Sequence, residues 1–245
     1  MKISFAVEWH DSLASTNSYL RESMLSRSPP PGGVIVATTN QTAGRGRAGR
    51  SWSSPPGKNL CFSLYLATVA PPLRIPALSM ATALAVDDTM LALRINSQPK
   101  WPNDIRVSKK KICGILSERV SCGDISGAII GVGINVNMSL DEIGSIDQPA
   151  TSILVESGQS HAPAKILDLL LPHLDKRINA WFPDGFSGIR EDWTRRAEGI
   201  GERVEIRDAS RTYTGILRGF GQNGECLLLT PGGDIISVWA GDMIH

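Results

Sequence analysis

The feature that most constrains the fold is a change of texture near Gly199. Beyond it, RVEIRD, TYTGILRGF, ECLLL and IISVWA follow one another as short strands, separated by turns rich in Gly, Asn, Asp and Pro. Strands so closely spaced predict a small β-barrel. A chain of 245 residues is long enough for one large core, or for a large domain with a small appendage. The change of texture selects the second arrangement. The boundary falls near Gly199 to Gly201, dividing the chain into residues 1–199 and 200–245.

Upstream of that boundary the pattern is mixed. Ser4 to Trp9 alternates like a strand, and Ser15 is placed to cap a helix from about Asn17 to Met24. Gly33 to Thr39 and Asn59 to Ala67 read as buried strands, followed by a long apolar helix over Ile75 to Leu93 with Asp87 and Asp88 on its wet side. Further strands are expected over Lys111 to Val120 and Ile125 to Val136. Leu167, Leu170, Leu174, Ile178 and Trp181 recur at helical spacing within Ala164 to Phe182, and a shorter helix covers Gly188 to Ala197.

Charge narrows the function classes. The net charge is +1, so no global field points to nucleic acid or a membrane surface. No run approaches the ~18 apolar residues of a span, and MKISFAVEWHDS becomes charged too early for a signal peptide. The four cysteines form no CxxC pair and read as reduced thiols of a cytoplasmic protein. Local charge is more telling. No carboxylate lies between Glu22 and Asp87, yet Arg27, Arg45, Arg47, Arg50, Lys58 and Arg74 do, and Lys109-Lys110-Lys111 follows later. Gathering cations in two segments suits a compact anion such as a nucleotide phosphate.

The densest basic segment is GRGRAGRSW, Gly44 to Trp52. Three readings are open to it: a solvated surface loop, a strip for single-stranded nucleic acid, or a site for a nucleotide and a small acid. The second reading calls for several aromatics to stack on bases, whereas aromatics make up only 6% of the chain. In the third, glycines let backbone N–H groups approach a ligand and arginines grip phosphate or carboxylate in a fork. The segment lacks the GK[ST] of a Walker loop and does not open a helix as a dinucleotide fingerprint does.

The remaining motifs decide between these readings. Ser15-Thr16-Asn17 opens a helix, Gln41 precedes the arginine loop, KWPND leads to KKICGIL, and GVGINVN follows. In this order and spacing they resemble the biotin–protein ligases, from about Ser12 to the final strands. The chain is similar to the short, enzyme-only type, because larger members carry an N-terminal helix-turn-helix that binds DNA. The resemblance implies an α/β fold with a mixed central sheet related to class II aminoacyl-tRNA synthetases, plus an SH3-like C-terminal barrel. It implies biotin and Mg·ATP as reactants, with biotinyl-5′-adenylate as the intermediate. A lysine of a biotin carboxyl carrier protein, from acetyl-CoA carboxylase or a related carboxylase, would be the acceptor. Neither DNA nor a membrane is expected as a partner, and a homodimer is compatible with the family. A lipoate–protein ligase is the related alternative, and a nucleic-acid-binding regulator the alternative of another class.

Residue roles follow from the same resemblance. Lys111 would contact both biotin and phosphate, and Arg47 and Arg50 would hold the adenylate phosphate as part of a lid that is mobile when empty. Asp104 would orient Lys111 or lie near Mg²⁺, for which no dedicated protein cage is expected. Ser15, Thr16, Asn17 and Gln41 suit a ureido ring, which offers one carbonyl acceptor and two N–H donors; the Ser15 hydroxyl can also cap its helix. Gly44, Arg45, Gly46 and Gly114 complete the biotin side. Trp52, Asn103 and Asn135 fall on the nucleotide side, Asn135 at the adenine edge, while Trp52 and Trp101 also fit ordinary core.

Overall fold

The computed structural model describes residues 5–26, 33–68, 70–122, 125–208 and 210–244. Ser4 and Arg27, named above, lie outside them. The first unit is a seven-stranded mixed sheet in the order β1-β2-β3-β7-β6-β5-β4. Its strands are β1 (Phe5–His10), β2 (Gly33–Thr38), β3 (Asn59–Ala67), β4 (Gln98–Lys100), β5 (Asp104–Val107), β6 (Lys110–Cys122) and β7 (Ile125–Asn135). Only β1 and β2 run parallel, joined through helix α1 (Thr16–Ser26); every other pair is antiparallel.

Alternation along the strands gives the sheet two apolar faces. On one face Val36, Tyr65 and Ile129 pack with Leu20 and Met24 of α1. On the other Ile35, Leu64 and Ile130 meet helices α2 (Pro76–Ala92) and α5 (Pro163–Asp184). Helix α2 is apolar around its whole circumference, as a helix clamped between a sheet and another helix must be. By length and composition, the stretch from Pro72 to Ala92 could also cross a membrane, so the expectation of no such run is corrected. Most of that stretch is buried inside the protein.

Asp87 and Asp88 are not on a wet side. Asp87 is 6% exposed, and both carboxylates face arginines from α5 and α6 (Arg190–Arg196). Arg177 donates to both oxygens of Asp88 at 2.7 and 2.9 Å, and Arg196 donates to Asp87 at 2.9 Å and to Asp88 at 2.6 Å. The carboxylates are therefore rivets between three helices.

The sequence reading missed the hairpin of β4 and β5, which KWPND turns, and two single-turn helices, α3 (Leu140–Gly144) and α4 (Ile153–Ser157). It also missed the last short strand, Asp242–Ile244, and placed the other helices and strands to within a few residues. The C-terminal unit contains β8 (Arg203–Arg207), β9 (Thr212–Phe220), β10 (Cys226–Leu229), β11 (Ile235–Val238) and β12 (Asp242–Ile244), in the order β11-β10-β9-β8-β12. Among the described residues no ladder joins β11 to β12, so the expected barrel is an open antiparallel sheet. Its inner residues are continuous with the main core. Phe220 meets Trp193 and Phe186 edge-on, at ring separations of 5.9 and 6.3 Å, and the Trp101 indole donates to the Gly224 carbonyl at 2.9 Å. Trp101 is thus core, pinned across the two sheets.

Candidate active site

The ladder of β1 and β2 continues past both strands and builds one wall of a cleft. Leu13 N–H donates to Asn40, Thr42 N–H to Leu13, and Ala43 N–H to Ala14. That zip sets Ser15, Thr16 and Asn17, at the start of α1, against Gln41. Ser15 acts as the expected cap, its Oγ accepting from Ser18 N–H at 3.4 Å. Gln41 Oε1 accepts from Thr16 N–H at 2.9 Å and from its hydroxyl at 3.1 Å. The Gln41 N–H groups are left for the cleft.

The floor is made by missing side chains. On the α1 face, the register sets Ser63 opposite Gly131 and Gly131 opposite Leu116, with Cys61, Gly133 and Gly114 in the next row. A Cβ on Gly133 would come within 2.3 Å of the Trp52 ring, one on Gly114 within 2.9 Å of it, and one on Gly131 within 2.2 Å of Asn17 Oδ1. Glycine in mid-strand weakens the strand and marks close approach of another group. Here Trp52 and Asn17 drop onto the sheet.

Cations line the same cleft. Lys111 Nζ lies 2.8 Å from Asp104 and 5.7 Å from the Trp52 ring centroid, both ionic groups being largely buried. The main chain of Lys111 is bracketed by Pro149 and Thr151, which pins it. The arginine loop is a tight hairpin, with Gly46 N–H on Arg50 O and positive φ at Ala48 and Gly49. Arg47 donates to Asn103 Oδ1 at 3.1 Å and to the Gly241 carbonyl at 3.4 Å, and Arg50 pairs with Asp242 at 2.9 Å. Burial pulls the Arg47 guanidinium below its ordinary value, while the Asp242 and Asp104 carboxylates act to keep its charge.

Two lobes result. The first, about 660 Å³ with its open mouth, is lined by Ser15, Thr16, Asn17, Gln41, Arg45, Gly46, Arg47, Arg50, Trp52, Asn103, Asp104, Lys111 and Gly114. The second, about 1100 Å³, shares Arg50, Trp52 and Lys111 and adds Asn135 and Ile146. Of the residues expected to bind biotin or nucleotide, Gly44 lines neither. It is buried, and a Cβ there would meet the Trp52 carbonyl at 2.6 Å, so it lets the loop fold back. Two amides are already engaged. Asn103 donates to the Ile115 carbonyl at 2.5 Å and thereby orients Arg47, and Asn135 donates to the Thr151 carbonyl at 2.9 Å.

The sequence reading missed Ser63, Glu118, Gly131, Gly133 and Asp242. The alternation in GVGIN was the signal available for the glycines. Cys61, Cys113 and Cys226 are buried; Cys61 lies beneath the loop, and burial pushes its thiol up to about 11.

Comparison with known proteins agrees with this geometry. Residues 9–135 match the biotin/lipoate A/B protein ligase family. The chain is 34% identical to the bifunctional ligase/repressor BirA of Bacillus subtilis over 238 residues, covering 96% of this chain and 72% of that protein. It is 32% identical to the biotin–[acetyl-CoA-carboxylase] ligase of Paracoccus denitrificans, covering 90% of this chain and 94% of that one. The solved structure of the Aquifex aeolicus biotin protein ligase with biotin and ATP superposes with a TM-score of 0.80 at 26% identity, covering 97% of each chain. Sequence match, fold and cleft agree: this chain belongs to the biotin/lipoate A/B protein ligase family.

Proposed function

We propose that this enzyme is a biotin–protein ligase, which activates biotin as biotinyl-5′-adenylate and transfers the biotinyl group to a lysine of a biotin carboxyl carrier protein. One observation carries the reading. A single cleft gathers Lys111, Arg47 and Arg50 together with a cluster of mixed donors and acceptors, Thr16, Asn17 and Gln41. The cluster matches a ureido ring, and the cations match the place where a carboxylate meets a triphosphate. In the first step a biotin carboxylate oxygen bonds to the α-phosphorus of ATP as the bond to pyrophosphate breaks. Two anions must meet, so preorganised cations in a dry cleft supply most of what the chemistry needs. Asp104 holds the Lys111 ammonium in place. In the second step the amine of the carrier lysine attacks the acyl carbon, loses a proton, and AMP departs.

Trp52 forms the partition between the biotin and nucleotide lobes, and Asn135 and Ile146 face the base. Gly44 to Trp52 acts as a lid that shields the mixed anhydride from water. Among the described residues no three His, Cys, Asp or Glu side chains are grouped to cage a metal. Mg²⁺ would therefore be held by phosphate oxygens and water, neutralising phosphate charge, with Asp104 the carboxylate of the main lobe beside it. We read residues 1–199 as a catalytic unit of the class II aminoacyl-tRNA synthetase kind and 200–245 as an SH3-like unit. The acceptor is the carrier domain of acetyl-CoA carboxylase or a related carboxylase, encountered in the cytoplasm. The deciding experiment is biotin-dependent exchange of labelled pyrophosphate into ATP. Exchange driven by lipoate instead of biotin would overturn the biotin assignment, and none with either acid would overturn the ligase reading.

A further inference from the structure

Glu118 stands on the same sheet face as the glycine floor, opposite Ile129 and two pairs beyond Leu116 and Gly131. Its two oxygens do different jobs. Oε1 pairs with Arg21 at 3.1 Å, and Oε2 accepts from Asn17 Nδ2 at 2.7 Å. Asn17 and Arg21 are four apart on α1, so both reach the carboxylate from one side of the helix. An ionised carboxylate can only accept hydrogen bonds. It therefore dictates which way the buried Asn17 amide points: NH₂ toward Glu118, carbonyl oxygen away from it.

The other contacts of that amide agree. The Ser63 hydroxyl donates to Asn17 Oδ1 at 2.5 Å and lies 2.7 Å from Thr16 Oγ1. Gly131 leaves the space that Oδ1 occupies. Asn17 is 3% exposed and Ser63 is fully buried, so no solvent exchange can reset the polarity. We propose that Glu118 is a positioning residue of the biotin lobe: through Asn17 it fixes an acceptor, not a donor, toward the ligand's ureido N–H. The inference rests on the biotin reading above. It adds that the hydrogen-bond polarity of the lobe is set from outside the lobe, by a residue that does not touch the ligand.

Biotin calorimetry, with separate biotin and ATP titrations in pyrophosphate exchange, tests it on the full chain. Glu118→Leu frees the amide to turn and should weaken biotin binding about tenfold, the scale of one neutral hydrogen bond. The KM for biotin should rise, while kcat and the KM for ATP stay within about twofold of the parent. Asn17→Asp alone sets two carboxylates together and should also lose affinity. Asn17→Asp combined with Glu118→Gln restores donor-to-acceptor order with an oxygen still facing the lobe, and should recover most of the loss. Glu118→Leu binding biotin as tightly as the parent would overturn the proposal. So would a combined variant no better than Asn17→Asp, a comparison that stands even if Glu118→Leu does not fold. A parent that binds no biotin would instead sink the functional reading beneath it.

Discussion

At the scale of the residue, the site is built from a few charges and several absences. Lys111 has its carboxylate partner, its aromatic neighbour and a pinned main chain, so replacement by alanine removes a preorganised cation and leaves Asp104 unpaired. Lys111→Ala should lower adenylate formation by on the order of 10²-fold or more with the fold retained, though at a lower melting temperature because Asp104 loses its partner. Pyrophosphate exchange at the parental rate would take Lys111 out of the mechanism. The absences are equally specific. A methyl at Gly133 would come within 2.3 Å of the Trp52 ring, whereas one at Gly144 meets nothing within 4 Å. Gly133→Ala should therefore cut activity by roughly tenfold, the cost of overpacking a rigid site, while Gly144→Ala leaves it alone. Circular dichroism of both variants should match the parent; equal activity of the two would mean that Trp52 need not sit on the sheet.

At the scale of the element, helices α2, α5 and α6 are joined by charge as well as by apolar packing. Burial alone would raise the Asp88 carboxyl, but hydrogen bonds from Arg177 and Arg196 outweigh it and hold the group below its ordinary value. For Asp87 burial prevails over Ser97 and Arg196, and the carboxyl is raised. The two signs give opposite pH behaviour. A lowered folded-state pKa stabilises above the unfolded value of ~3.9, and that contribution is lost as pH falls through the folded one; a raised pKa costs stability at neutral pH. Asp88→Asn should then cost about 3 kcal/mol at pH 7, as breaking a buried pair does, and less at pH ~3, below the unfolded value. Asp87→Asn should cost clearly less at pH 7. Thermal melts of both variants at the two pH values are the check, and equal losses throughout would refute the assignment. This network also marks the limit of what the sequence disclosed. The apolar run of α2 made the helix legible, but its partners Arg177 and Arg196 lie 89 and 109 residues from the aspartates they meet, so two buried charges read as wet. The β4–β5 hairpin escaped because its strands are short and broken by WPND. About half of the residues that line the cleft were legible, because they sit in compact local motifs such as Ser15-Thr16-Asn17 and the arginine loop. Ser63, Glu118 and Asp242 were not, since each acts through a neighbour that only folding supplies.

At the scale of the whole molecule, the two sheets meet across the arginine loop. Asp242, from the last strand, pairs with Arg50 at 2.9 Å and lies 3.6 Å from Arg47, occupying guanidinium groups that an adenylate phosphate would claim. Freeing them removes a competitor. The pairs are partly exposed and such bridges contribute ~0–1 kcal/mol, so Asp242→Asn should tighten apparent ATP affinity by up to about fivefold with little change in stability. Weaker ATP binding in that variant would mean that Asp242 holds the loop in its working position instead. The seam beneath this contact is apolar: Phe220 against Trp193 and Phe186, and Trp101 reaching the Gly224 carbonyl. In engineering terms, the seam makes the chain a split enzyme in waiting. Severed between Gly199 and Gly201, neither piece keeps its half of the aromatic contact covered, and each carries a surface shaped to the other. Fused to two proteins that associate, the pieces would regain ligase activity when their carriers met, turning a shared core into a reporter of proximity.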